Sequence, residues 1–122
     1  MRRTLGLLGA AIVLSAPAAV AARPTAVGVG EREWRIALYR PWVPAGLVKF
    51  NVKNFGEDGH DFVVRNARGV TRARLPELGA GETASVTGRL MRRGRYTVYC
   101  SLPGHRELGM QAVLRVRSAS QR

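Results

Sequence analysis

The residues able to do chemistry in this chain are Cys100, His105 and Met110, which follow one another at five-residue intervals. Cys100 is the only cysteine, and the only histidine besides His105 is His60, which closes the stretch Phe55-Gly56-Glu57-Asp58-Gly59. Together they offer one thiol, two imidazoles and one thioether. Sulfur ligands suit Cu(I), imidazole suits both Cu(I) and Cu(II), and a Cys-His-His plane with a distant Met is the pattern of mononuclear copper sites that move electrons. That set matches the ideal geometry of neither oxidation state, so a rigid backbone holding it lets the site change little on electron transfer. Cys100 would bind as thiolate, the metal holding off its proton. Zinc also takes Cys and His, but structural zinc rarely chooses methionine.

Each residue has a plainer explanation as well. A lone cysteine on a strand is commonly a small buried hydrophobe, and a lone methionine commonly fills core space. A histidine beside glycine is often a turn residue. The coincidence favours a site: the single cysteine and both histidines fall in one pattern. Met91 stands outside it and reads as packing.

These side chains need a frame, and alternating apolar and polar residues supply strands. Residues 23–30, small and β-branched with glycines, read as an edge strand. Trp34, Ile36 and Leu38 share one face of the next strand, which Pro41, Pro44 and Gly46 end. Val48, Phe50 and Val52 alternate with Lys49, Asn51 and Lys53, and the Phe55–Gly59 loop then delivers His60. Residues 65–82 are the least regular, an arginine-studded connection with either a short strand at Val70–Leu75 or a helical turn. Thr83–Leu90 is a strand, and Arg92-Arg93-Gly94 turns into Gly94–Cys100, where Tyr96, Val98 and Cys100 face one way. In the last strand Met110, Ala112, Leu114 and Val116 share a face, and Ser118–Arg122 is a polar tail. Parity thus points the Cys100 sulfur inward at the end of one strand. Met110 opens the next on its inward face, with His105 midway in the loop between. Short alternating strands without an amphipathic helix imply an all-β sandwich.

A chain of 122 residues, 46% hydrophobic and 23% charged, is one globular domain that can bury a core without staples. Its N-terminus stands apart. Arg2 and Arg3 precede the apolar run Leu5–Leu14, and Ala18-Ala19-Val20-Ala21-Ala22 offers small residues for cleavage after Ala21 or Ala22. These are the parts of a secretory signal over residues 1–22, leaving one domain over 23–122. An uncleaved anchor is the competing reading, but the strongly apolar part is short for a span. A single cysteine in an exported protein cannot form an internal disulfide, and metal ligation would protect its thiol. The net charge of +12, less that of Arg2 and Arg3, leaves +10 on the domain. This suits an acidic partner or an anionic lipid surface, or simply keeps an arginine-rich protein soluble. Nucleic acid is not an expected partner, since no recognition motif is present.

The pattern resembles the cupredoxins, the type 1 blue copper proteins of the plastocyanin, azurin and rusticyanin kind, from about Val48 to Val116. The pieces are Asn54-x-Gly56-x-x-x-His60-Asp61-Phe62, Gly79-x-Gly81-Glu82-Thr83 and Gly94-x-Tyr96-x-x-x-Cys100-x-x-x-x-His105-x-x-x-x-Met110. The resemblance implies a Greek-key β-sandwich of about eight strands with one copper ion at one end. His60, Cys100 and His105 would be its strong ligands and Met110 the weak axial one. It implies that the residue after the first histidine, here Asp61 where Asn is common, ties the ligand loops together. The spacing from Cys100 to His105 is that of the longer-loop members, as in azurin and rusticyanin. In the family the second histidine reaches the surface through an apolar docking patch. Leu102, Pro103 and Leu108 would form it here, with Trp42, Val43 and Pro44 as neighbours and Arg106 at the rim.

The expected function is a monomeric, periplasmic or otherwise extracytoplasmic one-electron carrier that exchanges electrons through the His105 edge. Its partners would be redox proteins such as a c-type cytochrome or a membrane oxidase or reductase complex, with weak contact to an anionic membrane surface. The alternative is copper delivery or sequestration. Copper carriers usually expose Met- or His-rich clusters, and this chain keeps only Met91 and Met110 beyond the signal. An enzyme is not expected: a second copper centre needs further histidines, and a dinuclear electron-entry site needs two cysteines.

Overall fold

The computed structural model describes residues 6, 8–17 and 23–118. The proposed cleavage positions and residues 119–122 of the polar tail lie outside them. Among the described residues no helix is long and apolar enough to cross a membrane. Nine strands form among the described residues: β1 Thr25–Arg32, β2 Arg35–Leu38, β3 Trp42–Pro44, β4 Gly46–Asn54, β5 His60–Arg65, β6 Thr71–Leu78, β7 Thr83–Leu90, β8 Gly94–Tyr99 and β9 Gln111–Arg117. They build two sheets, ordered β2-β1-β4-β7 and β3-β9-β8-β5-β6. The expected all-β sandwich is present.

The core lies between the sheets and follows from alternation. Val48, Phe50 and Val52 of β4 are buried, while Lys49, Asn51 and Lys53 are exposed. Phe50 meets Phe62 of β5 with ring centroids 5.3 Å apart. Tyr96 and Val98 of β8, and Leu114 and Val116 of β9, complete the inward rows as their parity requires.

Three local readings change. Residues 23–30 do not form an edge: β1 lies between β2 and β4, because the turn at Glu33 and Trp34 folds β2 back onto its outer side. Trp34 therefore sits in a turn rather than on the inward face of a strand. Half of residues 65–82 is strand: β6 carries the short strand offered at Val70–Leu75 on through Pro76 to Leu78. Proline is tolerated there because β6 is the outer strand of its sheet and the β5–β6 register shifts between His60 and Phe62, opposite Pro76. Trp42–Pro44 is a short strand paired with the far end of β9, Val43 opposite Val116. Trp42, Val43 and Pro44 are thus not neighbours of the loop that carries His105. Trp42 instead lies under the guanidinium groups of Arg40 and Arg117.

Candidate metal centre

Three connections meet at the end of the sandwich where β5 begins. Residues 55–59 link β4 to β5, the turn at Glu33 and Trp34 links β1 to β2, and Cys100 to Met110 link β8 to β9. Asn54, fully buried, organises the first of these. Its side-chain NH2 donates to the carbonyls of Asp58 and Leu78, and its oxygen accepts from the Gly56 N–H. His60 is the first residue of β5 rather than the last of a loop. In the 100–110 connection the Cys100 N–H donates to the Met110 carbonyl, and the Met110 N–H donates to the His105 carbonyl, each at 3.1 Å. Gly109 has φ +124°, and a Cβ there would meet the Trp34 carbonyl oxygen at 2.9 Å. Glycine lets this loop close against the β1–β2 turn.

The sequence-selected residues converge. Ligand atoms of His60, Cys100 and His105 all lie within 4.8 Å of one another. His60 Nδ1 is 3.2 Å from His105 Nδ1, and Cys100 Sγ is 3.6 Å from the same nitrogen. One ion about 2.0–2.1 Å from nitrogen and 2.3 Å from sulfur spans the 3.2 and 3.6 Å separations. His60 and Cys100 are fully buried and His105 is half-buried. Met110 is fully buried in the core cluster that includes Cys100. Burial pushes the Cys100 thiol up to about 11, so it is protonated in neutral water and a metal must displace that proton.

Partners around the cluster fix its orientation. Asp61, buried beside His60, accepts from the Ser101 N–H at 2.5 Å and from the Ser101 hydroxyl. It ties the start of β5 to the residue after Cys100, as the resemblance implied. Glu33 Oε1 lies 2.7 Å from His60 Nε2. Hydrogen bonds from the N–H groups of Glu57 and Asp58, then from His60, hold the Glu33 carboxyl down at about 2. An ionised carboxylate only accepts, so the ring proton of neutral His60 sits on Nε2 and Nδ1 keeps a free lone pair toward Cys100 and His105.

Glu33 and Trp34 were not among the expected site residues. The Trp34 ring meets His105 edge-on at 4.8 Å and His60 at 6.3 Å between centroids. Trp34 is 37% exposed and Leu108 58% exposed, and with Pro103 they give the surface around His105 its apolar character, while Leu102 packs on the core.

Comparison with known proteins agrees with this geometry. Residues 42–117 match the copper-binding proteins of the plastocyanin/azurin family. The azurin Az-iso2 of Methylomonas sp. strain J superposes with a TM-score of 0.65 at 20% identity, covering 77% of this chain and 98% of that one. Dithionite-reduced auracyanin from Roseiflexus castenholzii gives 0.64 at 17% identity over 79% and 99% of the two chains. Auracyanin A, a blue copper protein of Chloroflexus aurantiacus, gives 0.63 at 21% over 78% and 100%. No curated protein sequence matches the chain. The fold is that of the cupredoxins, and the chain belongs to the plastocyanin/azurin family of copper-binding proteins.

Proposed function

We propose that the protein is an exported one-electron carrier in which His60, Cys100 and His105 would hold a single type 1 copper ion, with Met110 as a weaker fourth donor. The convergence of one thiol and two imidazole nitrogens within 4.8 Å supports this most directly. Copper, when bound, supplies the Cu(I)/Cu(II) couple. The protein supplies everything else. Strand ends and the Asp61–Ser101 hydrogen bonds keep the ligand loops from rearranging between oxidation states. Burial excludes water from His60 and Cys100, while half-buried His105 is the edge through which electrons pass. The apolar surface of Trp34, Pro103 and Leu108 lets a partner approach that edge closely, and brief contacts of this kind suit rapid turnover. Redox proteins such as a c-type cytochrome or a membrane oxidase or reductase complex fit this role. In this reading residues 1–22 are the export signal, and residues 23–122 act as a monomer outside the cytoplasmic membrane.

The test is the visible spectrum of residues 23–122 with Cu(II), beside Cys100→Ser. An intense blue band in the wild type, absent from the variant, is the expected result. A colourless protein that binds only Cu(I) would overturn electron transfer in favour of copper delivery.

A further inference from the structure

The net charge hides a strong segregation. All eight acidic residues fall in the 31–33 turn region, the 57–61 segment, the 77–82 region and the 101–110 loop. Strand register puts all of these at the metal-centre end: His60 lies opposite Leu78, Glu31 opposite Asn54 and Lys53 opposite Thr83. At the other end Arg65 lies opposite Thr71, Gly46 opposite Leu90 and Gly94 opposite Val116. The connections here, 66–70 and 91–93, carry only basic charge. Among the described residues none of the arginines at this end pairs with a carboxylate.

These arginines line two adjoining recesses that share Arg92 and Tyr96. Arg68, Arg93 and Arg95 line one of about 110 Å³. Arg72, Arg89 and Met91 line the other, of about 240 Å³. The Tyr96 hydroxyl donates to the Arg92 carbonyl at 2.9 Å and fixes the backbone between them. Guanidinium groups crowded without counter-charge repel one another, and planar forks of this kind match phosphate oxygens. The connections also present apolar tips, Val70 at 45% and Met91 at 56% exposure. Apolar tips flanked by arginine suit the boundary between headgroups and acyl chains, where the tip is dehydrated and the cation meets phosphate. The register of Thr25 opposite Val48 brings the chain that precedes β1 in at this same end.

We infer that the arginine-bearing end formed by the 66–70 and 91–93 connections docks on a bilayer surface rich in anionic phospholipid. Phosphodiester headgroups enter the two recesses, and Val70 and Met91 sit at the headgroup level. The sandwich then stands with His105 pointing away from the membrane, open to a diffusing redox partner. An acidic protein surface is the rival occupant, and it would leave vesicle binding absent.

The test uses protein produced from the full-length chain, sedimented with phosphatidylcholine vesicles with or without phosphatidylglycerol. Wild type is compared with an R68S/R92S/R93S variant. Binding through an N-terminal anchor appears equally with both proteins and both lipids, so the arginine contribution is the difference that depends on phosphatidylglycerol. Each arginine near an anionic surface is worth roughly fivefold in partition, so the variant should lose about a hundredfold. High salt should abolish the same increment. Inorganic phosphate at matched ionic strength should compete weakly, since it cannot engage Val70 and Met91. M91S tests the apolar tip separately and should lower binding several-fold. Equal binding of wild type and the triple variant to phosphatidylglycerol vesicles, with matching circular dichroism spectra, would overturn the inference.

Discussion

The carboxylate of Glu33 accepts a hydrogen bond from His60 Nε2 at 2.7 Å and simultaneously binds the N–H groups of Glu57 and Asp58. One side chain in the β1–β2 turn thereby fixes both the loop before His60 and the ring proton of His60. Partners of metal-binding imidazoles set tautomer, orientation and basicity. E33A is expected to lower copper affinity on the order of 10- to 100-fold, measured by competition with a chelator. E33Q keeps an oxygen acceptor and should lose less affinity. It should still raise the reduction potential, because a negative charge beside His60 favours Cu(II). In metal-free protein, nitrogen chemical shifts of His60 should report the proton on Nε2 in wild type and a mixed tautomer in E33A. Unchanged affinity and tautomer in E33A would make the contact incidental.

The visibility of this site in the sequence was uneven, for physical reasons. Cys100, His105, Met110 and His60 are rare residue types at telling spacings, and the inward row of β8 could be counted from Tyr96. Glu33 and Trp34 carry no such signal. Two-residue hairpin turns are usually marked by Gly, Asn or Asp. Here the turn residues are Glu and Trp, and the apolar alternation runs straight through them into Ile36 and Leu38. The same limit cut β6 short at Leu75, because Pro76 reads as a break but occupies a register shift on an outer strand. The far placement of Trp42 was equally invisible, because parallel pairing of β3 with β9 joins segments remote in sequence.

Asp61 is expected to matter more for stability than for spectrum. Replacing it with alanine removes both hydrogen bonds that its carboxylate accepts, from the Ser101 N–H and hydroxyl. Bonds to a charged acceptor are worth about 1.5–3 kcal/mol, and the loss falls toward the low end because Ser101 is exposed to water. D61N retains an acceptor for that N–H and should lose less. Urea unfolding of the three proteins checks the order. If D61A matches wild type, the bridge between β5 and the Cys100 loop is not holding the two together.

Glu31 makes the fold lose stability as pH rises from 4.5 toward about 8. It is fully buried on the inward row of β1 with neither carboxylate oxygen hydrogen-bonded. Burial, and secondarily the charge of Asp61, pushes its carboxyl from 4.5 up to about 8. Between those values the folded protein holds a proton that the unfolded chain has released. Stability from this group is therefore complete below pH 4.5, declines as pH rises toward 8 and is flat beyond it. At about 1.4 kcal/mol per unit, the loss is at most roughly 5 kcal/mol. E31Q is fixed neutral and should lack this decline, becoming the more stable protein at alkaline pH. Urea unfolding of the metal-free proteins from acid to alkaline pH tests this, since other titrating groups contribute alike to both. Parallel curves would show that Glu31 finds a proton-independent partner.

Trp34 and Trp42 provide an internal comparison for the docking face. Trp34 leans edge-on against His105 at 4.8 Å and is partly exposed, whereas Trp42 lies at the opposite end against the guanidinium groups of Arg40 and Arg117. An aromatic side chain at a contact centre commonly contributes more than 1 kcal/mol to association, so W34A should slow electron exchange between copies of the protein by about tenfold. W42A should leave that rate unchanged. Neither substitution removes a ligand atom, so both variants should keep the blue absorption, which separates docking from copper binding. Line broadening in mixtures of reduced and oxidised protein measures the exchange rate. Equal rates for W34A and wild type would place the contact face elsewhere on the loop, around Pro103 and Leu108. A slow W42A would instead show that electrons leave by the arginine end, against the route through His105.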